Sequence, residues 1–243
     1  MTSADLTHRA IKRGVRNILE RADFQTAMAE LEAFPARRVV NPLISLFCSG
    51  DVRLRWRAVS GMGRVVSRLA DAEIESARVI MRRLMWTLND ESGGIGWGAP
   101  EAMGAITARH AGLAREFARI LVSYIRTDCN FLEHPILQRG VLWGLGRLAL
   151  ARPAMAIDAA PFVPPFLRSP DAFHRGHAIW LLRALNQPLP DDVHEALSGD
   201  QGRFEFYFEG DLSEVTVAHA LRGGLPSVQA GTLPKQENKR HDR

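Results

Sequence analysis

The residues with the most chemical potential lie between Asn89 and Ile106, where the chain reads NDESGGIGWGAPEAMGAI. Two acids, Asp90 and Glu91, lead into three glycines, then Trp97, Gly98, Pro100 and Glu101. A glycine-rich loop just before a helix can turn backbone N–H groups toward an anion. The spacing here matches neither a P-loop nor a dinucleotide fingerprint, and no strand precedes it. Asp90 and Glu91 would also repel a phosphate. Two readings remain: a long turn whose glycines permit positive φ, or a binding loop, since long loops often carry function.

A second group of residues recurs downstream. Glu133 and His134 are followed by Arg139 and Trp143, and later by Arg175, His177 and Trp180. Trp and Arg are the side chains most used as binding anchors. The alternative is that each Trp packs internally and each Arg pairs with a nearby acid. His174 and His177 are three apart and share a helical face, and Glu133 and His134 come from the preceding turn. A metal site would need all four to converge, and no spacing motif says that they do. No Ser-His-Asp or Cys-His pattern stands out either. The expectation is no catalytic residue, no metal and no cofactor.

These residues are positioned by a repeated helix. RAVSGMG (Arg57–Gly63), GAPEAMG (Gly98–Gly104) and GVLWGLG (Gly140–Gly146) align, and HAIWLLR (His177–Arg183) is a weaker fourth copy. Their last residues are 41, 42 and 37 positions apart. A period near 40 with apolar helical spacing marks a solenoid of two-helix repeats. The expected fold is all-α, a right-handed α-α superhelix of about four two-helix repeats. N-terminal capping helices are expected over 1–34, repeats over 35–190, a C-terminal strand-helix cap over 191–223 and a disordered tail over 224–243. A first helix spans 3–21, capped by Thr2 or Ser3, with Leu6, Ile11, Val15, Ile18 and Leu19 as its apolar stripe. A second covers Phe24–Phe34. Arg203–Glu209 alternates and is aromatic-rich, which suits a short strand or extended arm. Asp211 or Ser213 is expected to cap a last helix running through Val215 and Leu221.

The stretch from about Pro35 to Leu69 carries a family resemblance. An apolar helix leads through Ser49-Gly50-Asp51 to a second helix with Val52, Arg53, Arg57, Ala58, Met62 and Gly63. This resembles a HEAT repeat, of the kind found in bacterial PBS-lyase HEAT-like and armadillo-type proteins, and the likeness extends over about 35–186. Around Gly96–Gly98 the usual Val-Arg step is replaced by Gly and Trp, a departure from the pattern. The resemblance implies that the second helices line a concave groove able to hold a segment of another protein. Asp90, Glu91, Trp97, Glu101, Glu133, His134, Arg139, Trp143, Arg175, His177 and Trp180 are the expected binding residues. Two other functions are implied by relatives. HEAT-like DNA alkylation-repair glycosylases hold duplex backbone in a basic groove, for which Arg53, Arg55, Arg57, Arg139 and Arg175 are available. Bilin lyases share short HEAT-like repeats. HEAT-repeat hydroxylases bind iron through repeated His-Glu pairs; here the only such pair, His194-Glu195, falls outside the repeats.

Composition is compatible with this. The chain of 243 residues is 46% apolar and 24% charged, with a net charge of +4 carried almost wholly by arginine. The arginines could form a phosphate-binding surface or reflect a coding bias toward Arg over Lys, and the acids interleaved with them nearly everywhere favour the bias. Two cysteines, Cys48 and Cys129, exclude a disulfide scaffold. Neither a membrane span nor a secretory leader is expected, and a cytoplasmic location is the simplest reading.

Overall fold

The structure, a computed structural model, describes residues 7–89 and 95–227. It is an all-α stack of helix pairs with one small sheet near the C-terminus. The helices are α1 (His8–Leu19), α2 (Phe24–Glu32), α3 (Ala36–Leu46), α4 (Val52–Ala72), α5 (Ile74–Trp86), α6 (Ala99–Arg109), α7 (Ala111–Ser123) and α8 (Pro135–Ala151). A proline-rich stretch then forms α9 (Pro153–Ala156), a 3-10 turn over Ile157–Phe162 and α10 (Pro164–Leu167). α11 (Ala172–Ala184), α12 (Asp191–Leu197), β1 (Arg203–Phe208), β2 (Asp211–Thr216) and α13 (Val217–Leu221) follow.

Several helices start where the sequence supplies a cap. Asp23, Asp51 and Asp171 accept hydrogen bonds from the first free amides of α2, α4 and α11, satisfying groups the helix itself leaves unpaired. α6 starts at Gly98, held at φ 73°, with Pro100 in its first turn. The first helix is shorter than expected: Thr7 caps it, and Thr2, Ser3 and Leu6 lie outside the described residues. Ile11, Val15, Ile18 and Leu19 are buried, as their spacing demands.

α4, α6, α8 and α11 pack side by side as one row, each against the next. The glycines of the repeated motif are the reason they can come so close. A Cβ on Gly104 would lie 2.2 Å from the Cα of Gly144, and one on Gly146 would lie 2.3 Å from the Trp180 ring. α6 and α8 therefore meet backbone to backbone, and Gly146 leaves α8 the room that the Trp180 ring of α11 fills.

The C-terminal part differs from expectation in three ways. Asp211–Thr216 is a second strand, paired antiparallel to β1 with Phe208 opposite Asp211, and Thr216 rather than Asp211 or Ser213 caps the last helix. The turn residues Glu209 and Gly210 have φ of 45° and 100°, the left-handed pair that a tight two-residue hairpin requires. An added helix, α12, carries His194 and Glu195. Packing also continues past Gly223: Leu225 is buried and the Trp180 indole N–H donates to the Pro226 carbonyl at 2.8 Å.

The hairpin caps the stack and also runs back along the row of second helices. Its Phe204 ring sits against Gly176 of α11, and Trp180 meets Phe206 edge-on at 4.8 Å. Farther along, Tyr207 stacks on Trp56 of α4 at 5.1 Å, and its hydroxyl is 3.0 Å from Ser60 Oγ. At the tip, Gly210 lies against Phe24 of α2, and Glu209 pairs with Arg147 and, at 3.5 Å, with Arg109. Burial explains the arrangement: a lone hairpin is marginal in water, but Phe204, Phe206 and Tyr207 are each under 4% exposed here. At about 25 cal/mol per Å² the three rings stabilise the docked form by several kcal/mol.

Candidate functional site

The inner row was expected to present a ladder of Trp, Arg and His as an open groove. Much of that ladder is engaged by the chain itself. Trp143 and Trp180 are buried, and both indole N–H groups donate to backbone carbonyls, of Tyr207 at 2.9 Å and of Pro226. Arg175 makes a two-pronged pair with Asp200 at 2.7 and 3.1 Å and donates to the Ser169 carbonyl at 2.7 Å. Arg57 is buried, and its guanidinium donates to the carbonyls of Leu19, Arg21 and Ala22, closing the turn between α1 and α2. Three of the five arginines considered for phosphate contact, Arg57, Arg139 and Arg175, thus have internal partners.

What the hairpin leaves open is a pocket of about 400 Å³ at the amino-terminal ends of α4, α6, α8 and α11. Of the expected residues it brings together Trp97, Glu101, Arg139 and His177. Trp56, Arg55, Phe47, Phe173 and Glu205 complete the walls. The two indoles of Trp56 and Trp97 remain only partly covered, unlike those of Trp143 and Trp180. Trp97 is held edge-on to the His134 ring at 5.3 Å. Arg139 donates to Asp171 at 2.7 Å while lying 4.2 Å above the Phe173 ring, so its planar cation is fixed on both sides.

Glu101 is the unusual group. It stands in the first turn of α6, and a side chain at Gly140 would collide with its carboxyl at 2.5 Å. The residue keeps part of its surface, yet Oε2 is shut off from solvent and has no hydrogen-bond partner among the described residues. Removal from water pushes the Glu101 carboxyl up to about 7; its own backbone N–H and the Arg55 charge oppose this only partly.

His177 shows the converse. Its Nδ1 donates to the Phe173 carbonyl at 2.9 Å and Nε2 is buried without a partner. Burial holds the imidazole down to about 4 despite that hydrogen bond, so it is neutral at pH 7. His174, one turn earlier, has both ring nitrogens engaged, Nε2 with the Pro135 carbonyl and Nδ1 with Ser169 Oγ, each at 3.0 Å. No group of three or more His, Cys, Asp or Glu side chains is placed to hold a metal ion among the described residues.

Glu133 lies away from this pocket. It is exposed and lines a separate cavity of about 830 Å³ beside Trp86 and Tyr124, and His134 borders that cavity while its ring touches Trp97. Arg175 faces a small third pocket with Asp192 and Val193. Asp90 and Glu91 lie outside the described residues. Trp56 directly precedes the first copy of the repeated motif, Arg57–Gly63, and that position is the signal that could have found it. Glu205 and Phe173 had no such signal; Phe173 stands in the first turn of α11, and Glu205 reaches the pocket only because the hairpin folds back over that helix.

A scan against protein-family models finds no match, and a search of curated proteins finds none. Among solved structures the chain is similar to an engineered protein at 16% identity, covering 77% of this chain and 83% of that one with a TM-score of 0.42. It is similar to a designed armadillo repeat protein in complex with the peptide (KR)4, at 14% identity over 75% and 84% of the two chains and a TM-score of 0.41. It also resembles the archaeal HEAT-like repeats protein of Thermococcus onnurineus NA1, at 14% identity over 79% and 90%, with a TM-score of 0.33. The chain's own stacked helix pairs make it a HEAT/armadillo-type repeat protein in fold, and no helix among the described residues is long and apolar enough to cross a membrane.

Proposed function

We propose that this chain is a non-catalytic recognition module that holds a segment of another protein at the pocket between Trp56 and Trp97. One observation carries the reading. Along a row of helices whose aromatic and charged side chains are otherwise largely engaged by the chain itself, these two indoles stay partly open around a concave space. Partly exposed Trp beside fixed Arg, rimmed by polar groups, is the usual make-up of a binding anchor. The hairpin already fills the rest of the row, so the segment is short and enters at the helix amino-termini.

Cys48 lines this pocket and is exposed and free. Cys129 is also exposed and is replaced first, as Cys129→Ser. The expected result is that this variant captures a defined protein from native lysate, and that alkylating Cys48 with a bulky maleimide abolishes capture without altering the circular dichroism. Undiminished capture after complete alkylation would overturn the reading.

A further inference from the structure

We propose that the pocket between Trp56 and Trp97 is a site for an organic cation, a protonated amine or guanidinium on an apolar stem, with Glu101 as its counter-ion. This deepens the recognition reading above and rests on it for the choice of pocket. The geometry supplies the three parts such a ligand needs. The volume of about 400 Å³ admits a side-chain-sized group. Phe47, Trp56, Trp97 and Phe173 furnish apolar walls and π faces for the stem and for the charge. Glu101 Oε2 offers an acceptor with no protein donor, held between α6 and α8 where Gly140 has no side chain. A buried carboxyl oxygen without a partner costs free energy unless something supplies one, and a ligand N–H does so once the Glu101 carboxyl turns toward the pocket that the residue lines.

The charges around the pocket agree. Arg139 on α8 is neutralised by Asp171, and His177 on α11 is neutral at pH 7. Among the described residues that leaves, once Glu101 is ionised above pH 7, Glu101 on α6 and Glu205 on β1 against Arg55 on α4. An excess of one carboxylate favours a cation. Arg55 is the rival anchor, and it would select a ligand carboxylate instead.

Three probes with one body and different heads separate these cases: phenethylammonium, phenethyl alcohol and 3-phenylpropionate. Binding is followed by tryptophan fluorescence and calorimetry at pH 8 in wild type and Glu101→Gln, whose melting temperatures are measured in parallel. We expect the ammonium to bind about tenfold or more tighter than the other two, and Glu101→Gln to remove that preference while leaving alcohol binding unchanged. Preference for the carboxylate, equal ammonium affinity in the variant, or no binding of any probe overturns the proposal. An alanine-flanked lysine peptide and its glutamine counterpart identify the source: the lysine peptide binding above phenethylammonium indicates a protein segment, and the reverse indicates a free amine. The two readings fail separately. Capture blocked at Cys48 with no ammonium preference removes the cation and keeps the module; ammonium binding with capture unaffected by Cys48 alkylation does the opposite.

Discussion

The indole N–H of Trp143 donates to the backbone carbonyl of Tyr207 at 2.9 Å, joining α8 to β1 across 64 residues of sequence. Trp143 is 2% exposed and also sits 4.7 Å from Trp56. It is thus the point where the hairpin, α8 and α4 meet. Trp143→Phe keeps most of the apolar contact but leaves the Tyr207 carbonyl unpaired. We expect a loss of about 1–3 kcal/mol in urea unfolding, together with faster proteolysis within the hairpin. A variant as stable as wild type would show that the hairpin is held by its phenylalanines alone.

The repeated glycines make a sharper prediction about the stack. Gly104→Ala would place a methyl 2.2 Å from the Gly144 Cα, and backbone cannot yield as a side-chain tip does. The expected cost is about 3 kcal/mol or more, seen as a large drop in melting temperature or failure to fold. Gly50→Ala, in an exposed turn with nothing within 4 Å, serves as control and leaves stability nearly unchanged.

Glu101 links the site to pH. Its folded pKa of about 7 is above the ordinary 4.5, so the folded chain binds the proton more tightly than the unfolded one. That contribution is fully present below about pH 4.5 and is lost as pH rises through 7. A shift of this size corresponds to about 3 kcal/mol at most. Glu101→Gln is therefore expected to gain stability on wild type between pH 4.5 and 7, read from denaturant midpoints at a series of pH values. Parallel curves for the two proteins would mean that Glu101 is solvated.

His177 works in the opposite direction. Its pKa is depressed from 6.5 to about 4, so its contribution is present above pH 6.5 and disappears as pH falls to 4. The ring lies 5.4 Å from Phe204 and 5.9 Å from Phe206, and charging it loosens the hairpin. His177→Asn should lose the acid-induced part of the stability change, again about 3 kcal/mol at most, whatever its stability at neutral pH. An unchanged acid slope in the variant would assign that slope to other groups.

The repeat was legible because its cause is local. A turn and a helix with glycine at the contact position recur every forty or so residues, and each pair needs only its neighbours. Trp97, Glu101, Arg139 and His177 could be placed at one level of the stack for the same reason. Tertiary structure alone decided what happens at that level. The pairing of Arg203–Phe208 with Asp211–Thr216, and the docking of that hairpin from α11 back to Phe24 of α2, depend on contacts between residues far apart in the chain. No periodicity encodes them. They turned Trp143 and Trp180 from presumed groove residues into supports for a strand, and brought Glu205 to the pocket. Local patterns specify helices and their stacking; the enclosure of a site depends on which distant surface buries the most apolar area against it.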